Sequence, residues 1–249
     1  TMASVTESLL ESAGPKTHAV FGERISSLHR ENGWWHLSGQ RRARSLVLTG
    51  NLLAHPRSLA MLGWSDVPLR SAVPFQMDPA LDAALERIRE MNASVRWNLM
   101  LEFPACADPL PRQIWLTSDA QDKFGIERVV LHRQQDQRVG LVVHGLDDGS
   151  PITPASQPGL LMAQESRQRL ALTELLQPWP ELAQALPLAR SLGVMRWGAS
   201  QPLDSPLPKS LQWCELSAVG FCGDWIAGPG FGMAEGALQS AVDLAAQLI

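Results

Sequence analysis

The sequence predicts a mixed α/β chain of the α+β kind, in which the two ends build one layer and the middle builds another. Three observations predict it. Asn32-Gly33 stands between apolar runs in a β-rich opening, a strong hairpin signal. Strand-like runs then succeed one another between Val95 and Gly145 across short turns. The tail returns to a single apolar strand, a glycine-rich turn and an alanine-rich helix ending at Ile249.

Taken in order, Met2, Val5, Leu9 and Leu10 repeat at helical spacing, and Ser12-Ala13-Gly14-Pro15 ends that helix. A short apolar strand is expected at residues 18–21, and a second where Gly22 to Leu28 alternates. The Asn32-Gly33 turn leads to Trp34-Trp35-His36-Leu37. Ser45 to Gly50 reads as a parallel strand covered on both faces, because it is continuously apolar. A short helical piece around His55 to Leu62 precedes a helix over about 79–91, marked by Leu81, Leu85 and Ile88.

Strands are expected over 95–103, 113–118, 127–133 and 138–145. The last two flank Gln134-Gln135-Asp136-Gln137 as an antiparallel hairpin. Leu160 to Leu176 is helical, Leu192 to Trp197 is a strand, and Val219 begins the final strand.

Composition narrows the function classes. The 249 residues are 45% hydrophobic and 18% charged, enough apolar content for a real core. A net charge of −4, with basic residues scattered apart from Arg41, Arg42 and Arg44, argues against nucleic-acid binding. No run of about twenty apolar residues predicts a membrane span. Cys106, Cys214 and Cys222 lack paired spacing and read as reduced thiols, which with the absence of a signal-peptide pattern points to the cytoplasm.

Chemistry concentrates in the tail. In Val219-Gly220-Phe221-Cys222-Gly223-Asp224-Trp225, an apolar strand runs into a Gly-Asp pair. A loop with Gly228, Pro229, Gly230 and Gly232 then delivers the chain to a helix N-terminus. Backbone amides and one carboxylate can meet a polar ligand there. Gly232, Gly236 and Ser240 fall at i, i+4 and i+8, so one ridge of the helix is nearly bare. Leu238, Val242 and Leu248 are expected to fill its flanks. The same ridge also serves tight packing without any ligand, and Asp224 by itself can equally cap its own turn.

With these residues in view, the chain resembles the flavin-dependent amine-oxidase superfamily with a p-hydroxybenzoate-hydroxylase-like fold, most closely its renalase-like branch. The resemblance rests on Phe21 to Leu28, Gly33 to Leu37, Leu46 to Thr49, Met195-Arg196-Trp197, and above all Phe221 to Asp224 with Ala234 to Ala237. It implies that residues 1–75 with 198–249 form a partial FAD-binding domain, and 76–197 an inserted antiparallel-sheet substrate domain. It further implies that Asp224, after Gly223, binds the ribityl chain of FAD, and that Met233 and Ala234, after Gly232, offer amides to the pyrimidine edge of the flavin. The Ile25 backbone would contact adenine, and Thr49 would end its strand beside the cofactor. The implied reaction is hydride transfer from an amine or reduced pyridine nucleotide to FAD, with a small-molecule substrate and no assigned catalytic residue.

Members of that family begin with a strand and a glycine-rich phosphate loop, neither of which is found in these residues. Losing about three charge-assisted hydrogen bonds to a diphosphate costs roughly 4–9 kcal/mol, so FAD binding is expected to be weak or absent. The two strands absent with that loop would leave apolar sheet edges unpaired, which admits the alternative of a flavin-free binding or dimerisation module, a homo-oligomer joined through those edges. No metal site is expected. His132 and His144 sit on neighbouring strands without carboxylate or cysteine ligands at suitable spacing, and His18, His36 and His55 have no evident partners. Trp97, Trp115 and Trp197 are expected on the middle sheet, in its core or stacked on a flat ligand.

Overall fold

The computed structural model describes residues 2–23, 25–38, 41–50, 56, 59–60, 63–104, 110–150, 153 and 155–248. In chain order the elements begin with α1 (Met2–Ser12), β1 (Leu28–Glu31), β2 (Trp34–Leu37), β3 (Arg41–Ala43) and β4 (Leu46–Leu48). Next come α2 (Leu69–Ala72), α3 (Pro79–Glu90), β5 (Ala93–Phe103), β6 (Gln113–Trp115), α4 (Ser118–Phe124), β7 (Ile126–Arg133) and β8 (Val139–Leu146). The last are α5 (Gln157–Leu175), α6 (Pro180–Ala185), β9 (Arg190–Pro202), β10 (Trp213–Cys214), β11 (Val219–Phe221) and α7 (Ala234–Leu248). The class is mixed α+β, with several antiparallel sheets.

The middle of the chain makes a five-stranded antiparallel sheet in the order β6-β7-β8-β5-β9. Alternation along β5 and β8 sends Leu99, Leu101, Phe103, Leu141 and Val143 to one face, where they are buried with Leu172 and Leu176 of the α5 segment and Leu182 of α6. Gly145 has no room for a Cβ there. The atom would come 2.5 Å from Gln168 Nε2 and 2.7 Å from the Trp97 carbonyl, and Gln168 Nε2 donates to that carbonyl at 2.9 Å.

A second core gathers Trp35, Leu69, α3, Val219, Phe221 and Trp225. Asp78 caps α3: one carboxylate oxygen accepts from the amides of Ala80 and Leu81 at 3.0 and 3.2 Å, and the other from Ser217 N at 2.9 Å. Helix α3 thereby joins the layer built by the chain's two ends. The Asn32-Gly33 turn, with φ of 50° and 77°, closes the β1–β2 hairpin. Trp35 fastens the hairpin to the second core, its Nε1 donating to Ser217 O at 2.9 Å.

Several expectations need correction. Residues 18–21 form no strand, and only Leu28 onward is extended in a ladder; Phe21 is 84% exposed. Among the described residues no strand pairs with this stretch to satisfy a ladder's amides and carbonyls. Strand β4 is parallel to β11, with Leu46 opposite Val219, but it is covered on one face only: Val47 is 46% exposed. Helix α4 replaces the end of the expected 113–118 strand and stops at Gly125 in the left-handed conformation. Leu238, Val242 and Leu248 are exposed rather than packed beside α7. The expected helix around His55 to Leu62 lies largely outside the described residues, as does Cys106.

Candidate functional site

Two neighbouring surfaces carry the polar groups that ordinary packing leaves over. The first lies at the carboxyl ends of the parallel pair β4 and β11. Gly223 follows β11 with φ of 155°, and a Cβ on it would meet Trp225 Nε1 at 2.2 Å and the Thr49 carbonyl at 3.0 Å. Trp225 Nε1 donates to that Thr49 carbonyl at 3.3 Å. Asp224 comes next, half-buried, and among the described residues its carboxylate takes a hydrogen bond from its own backbone amide alone. Burial pushes its carboxyl above the usual carboxylate range.

The glycine loop is held by the chain itself. Gly232 N donates to the Asp224 carbonyl at 2.7 Å, and Met233 N donates to the Gly230 carbonyl at 2.9 Å. A Cβ on Gly236 would fall 2.2 Å from Gly230 O. Ser240 Oγ accepts from the Gly223 amide at 2.9 Å, and its one proton is shared between the Ala237 carbonyl at 2.7 Å and the Gly223 carbonyl at 3.1 Å. The bare ridge of α7 therefore serves close approach of the loop to the helix.

Of the expected cofactor contacts, Gly223, Asp224, Gly232 and Ala234 are brought together around the start of α7, with Thr49 joined through Trp225. The Met233 amide donates to the Gly230 carbonyl within the loop. Ala234 and Glu235 open the helix, where the first amides have no intrahelical acceptor. Ile25 stands in a separate stretch beside the hairpin, where Ser26 N donates to Ser38 Oγ at 2.9 Å.

The second surface is the other face of the five-stranded sheet. Its register sets one residue from every strand in a single row: Trp115, Arg128, His144, Asn98 and Met195. Asn98 Oδ1 and Arg128 Nε are shielded from solvent without a hydrogen-bond partner. The Arg128 guanidinium lies 4.7 Å from the Trp115 ring. Burial first, then the positive charge of Arg128, holds the His144 imidazole below its ordinary value, which favours the neutral ring. Trp197, opposite Arg96, is 48% exposed, and Arg96 pairs with Glu127 at 3.0 Å.

Trp115 and Trp197 thus stand on the two edge strands, whereas Trp97 is buried with Arg196 5.3 Å from its ring. His132 is opposite Gly140 and His144 opposite Arg128, so the two histidines are not cross-strand neighbours. The unpartnered Asn98 and Arg128 were missed from sequence. Alternation on the strands over 95–103 and 127–133 already marks both as polar residues facing away from the core.

The two surfaces meet. Strand β9 carries Met195 and Trp197, then runs on to Gln201, whose Nε2 donates to the Gly232 carbonyl at 3.3 Å. Four residues of strand put Trp197 about 13 Å from that contact. Among the described residues no helix is long and apolar enough to cross a membrane. Cys214 and Cys222 are free and buried, and burial raises the Cys214 thiol to about 12.

No family model matches the chain, and no curated protein matches it. Among solved structures it is similar to the CLA-producing fatty acid isomerase from P. acnes, at 12% identity and a TM-score of 0.48, covering 90% of this chain and 47% of that one. It is also similar to the PF1083 protein from Pyrococcus furiosus, at 12% identity and a TM-score of 0.44, covering 89% and 46%. The chain spans about half the length of these structures. None of this supports membership of the flavin-dependent amine-oxidase superfamily or its renalase-like branch, and that assignment is corrected. The tail motif that suggested it has an internal cause: its glycines are where Trp225, Thr49 and Gly230 leave no space for a side chain.

Proposed function

We propose that the chain binds FAD at the carboxyl end of the β4–β11 pair and covers a small-molecule substrate with the open face of its five-stranded sheet, as a flavin-dependent oxidoreductase. The observation that carries this reading is Asp224, a half-buried carboxylate with no partner among the described residues beyond its own amide, at the carboxyl end of a parallel pair and near the start of a fifteen-residue helix. Such a carboxylate accepts hydrogen bonds from the hydroxyls of a ribityl chain, which offsets its desolvation. The first amides of α7, from Ala234, favour an anionic edge through the helix dipole. Met233 takes no part.

FAD bound there supplies a hydride acceptor for an amine or reduced pyridine nucleotide. The sheet face would hold the donor: Trp115 and Trp197 offer flat apolar surfaces at its two edges, and Asn98, Arg128 and neutral His144 offer polar contacts between them. The test is a titration of purified protein with FAD followed by flavin fluorescence. Weak but saturable binding is expected, micromolar or looser for want of a glycine-rich phosphate loop in these residues, and weakened a further tenfold or more by Asp224→Ala, the worth of one charge-assisted hydrogen bond of about 1.5–3 kcal/mol. Absence of saturation, or equal binding by the variant, would overturn the reading.

A second reading has its own observation. Among the described residues strand β4 is the last strand of its sheet, and Val47 on it is exposed. In this reading the chain is a flavin-free module that pairs with a second copy along β4. Light scattering separates the two: a dimer converted to monomer by Val47→Lys supports pairing, and a monomer at all concentrations removes it.

A further inference from the structure

The hairpin β1–β2 carries a second constellation on its outer face. The two-residue turn fixes the register, so His29 lies opposite His36 and Glu31 opposite Trp34. His29 and Glu31, two apart on one strand, share a face with His36. The imidazoles stack with centroids 4.4 Å apart and planes 9° from parallel. One ligand atom from each of His29, Glu31 and His36 lies within 4.8 Å of the other two. The opposite face of the same strands is locked by Trp35, which is buried and bonded to Ser217.

We propose that His29, Glu31 and His36 form a binding site for a borderline divalent metal ion, with Zn²⁺ as the fitting case. Two imidazoles and one carboxylate suit Zn²⁺, and Cu²⁺ or Ni²⁺ by the same donor chemistry, whereas Mg²⁺ and Ca²⁺ require oxygen ligands. Zinc to nitrogen bonds of about 2.0–2.1 Å place tetrahedral donors about 3.3 Å apart. The rings must therefore tilt from face-to-face to converging and close by about 1.5 Å, a rotation open to the exposed His29 and Glu31 around a half-buried His36.

The strands supply the fixed part of the site. A slip of one residue in the hairpin would turn these side chains inward, and Trp35 forbids it. Arg42, opposite His36 on β3, is the nearest opposing charge in register. Its guanidinium lies 4.8 Å from the Trp34 ring, with that of Arg44 at 4.9 Å, and the Glu31 carboxylate offsets the positive charge. Three protein ligands leave a fourth position to water.

Calorimetry on the full chain with ZnCl₂ and, separately, MgCl₂ tests the site. One Zn²⁺ per chain is expected, with no heat from Mg²⁺. His29→Asn and His36→Asn should each weaken Zn²⁺ at least tenfold, and Glu31→Gln by less. Zn²⁺ should also raise the melting temperature of the wild type but not of the His29→Asn/His36→Asn double variant. Should either histidine variant misfold, Glu31→Gln at the end of the hairpin carries the test. No saturable Zn²⁺ binding, or wild-type affinity in the double variant, would overturn the assignment.

Discussion

The five-stranded sheet and the layer made by the chain's two ends handle apolar surface differently. The sheet buries one face completely against α5 and α6, and its strands satisfy one another in antiparallel pairs. The end layer has a parallel pair, β4 and β11, with a third short strand on one side only. Parallel strands are ordinarily covered on both faces, yet Val47 faces outward here, and so do Leu238 and Val242 of α7. The buried face of the sheet is complete within this chain and its left-over polar atoms, on Asn98 and Arg128, lie on the open face, while the end layer leaves apolar side chains and a carboxylate uncovered. In the end layer that carboxylate is Asp224.

Substitutions can break that contrast. Leu141→Ala, in the buried face of the sheet, should cost about 2–5 kcal/mol in chemical denaturation, the largest effect of the series. Gly236→Ala should cost about 1–3 kcal/mol by driving a methyl onto the Gly230 carbonyl, even though alanine favours a helix. If it instead stabilises, the loop does not need its close approach to α7. Val47→Ala should stay within about 0.5 kcal/mol in the same assay, because that side chain is already in water.

Titration sharpens the contrast from the polar side. The Asp224 carboxyl is raised in the folded state, so its contribution to stability is complete below its unfolded value and is lost as pH rises through the folded one. Asp224→Asn should therefore melt higher than the wild type at neutral pH, and the advantage should vanish toward about pH 3–4. The lowered His144 works in the opposite direction: stability is present above about pH 6.5 and falls as acid charges the ring. A His144→Asn variant should show a flatter acid limb in melting temperature below about pH 6.5.

Much of the sheet could be read in advance because alternation and turns specify it locally. Val95 to Phe103 and Arg138 to Gly145 appear as strands, and Asn32-Gly33 makes its hairpin. That hairpin also implied His29 opposite His36, since two turn residues force 31 against 34 and 29 against 36. Reading His36 without its cross-strand partner hid the stacked His29–His36 pair. The end layer resisted prediction because apolar runs such as residues 18–21 become strands only when a neighbour is present to pair with them. At the tail, a glycine that meets a ligand and one that meets Trp225 look alike in sequence; only the backbone contacts distinguish them.

Hydrogen exchange with and without FAD tests the central claim most directly. The expected result is new protection in the stretch from Gly223 to Glu235 and along β9 from Met195 to Gln201, the two segments that Gln201 and Gly232 join. Protection confined to other parts of the chain, or none at saturating FAD, would contradict a cofactor site at the carboxyl end of β4 and β11.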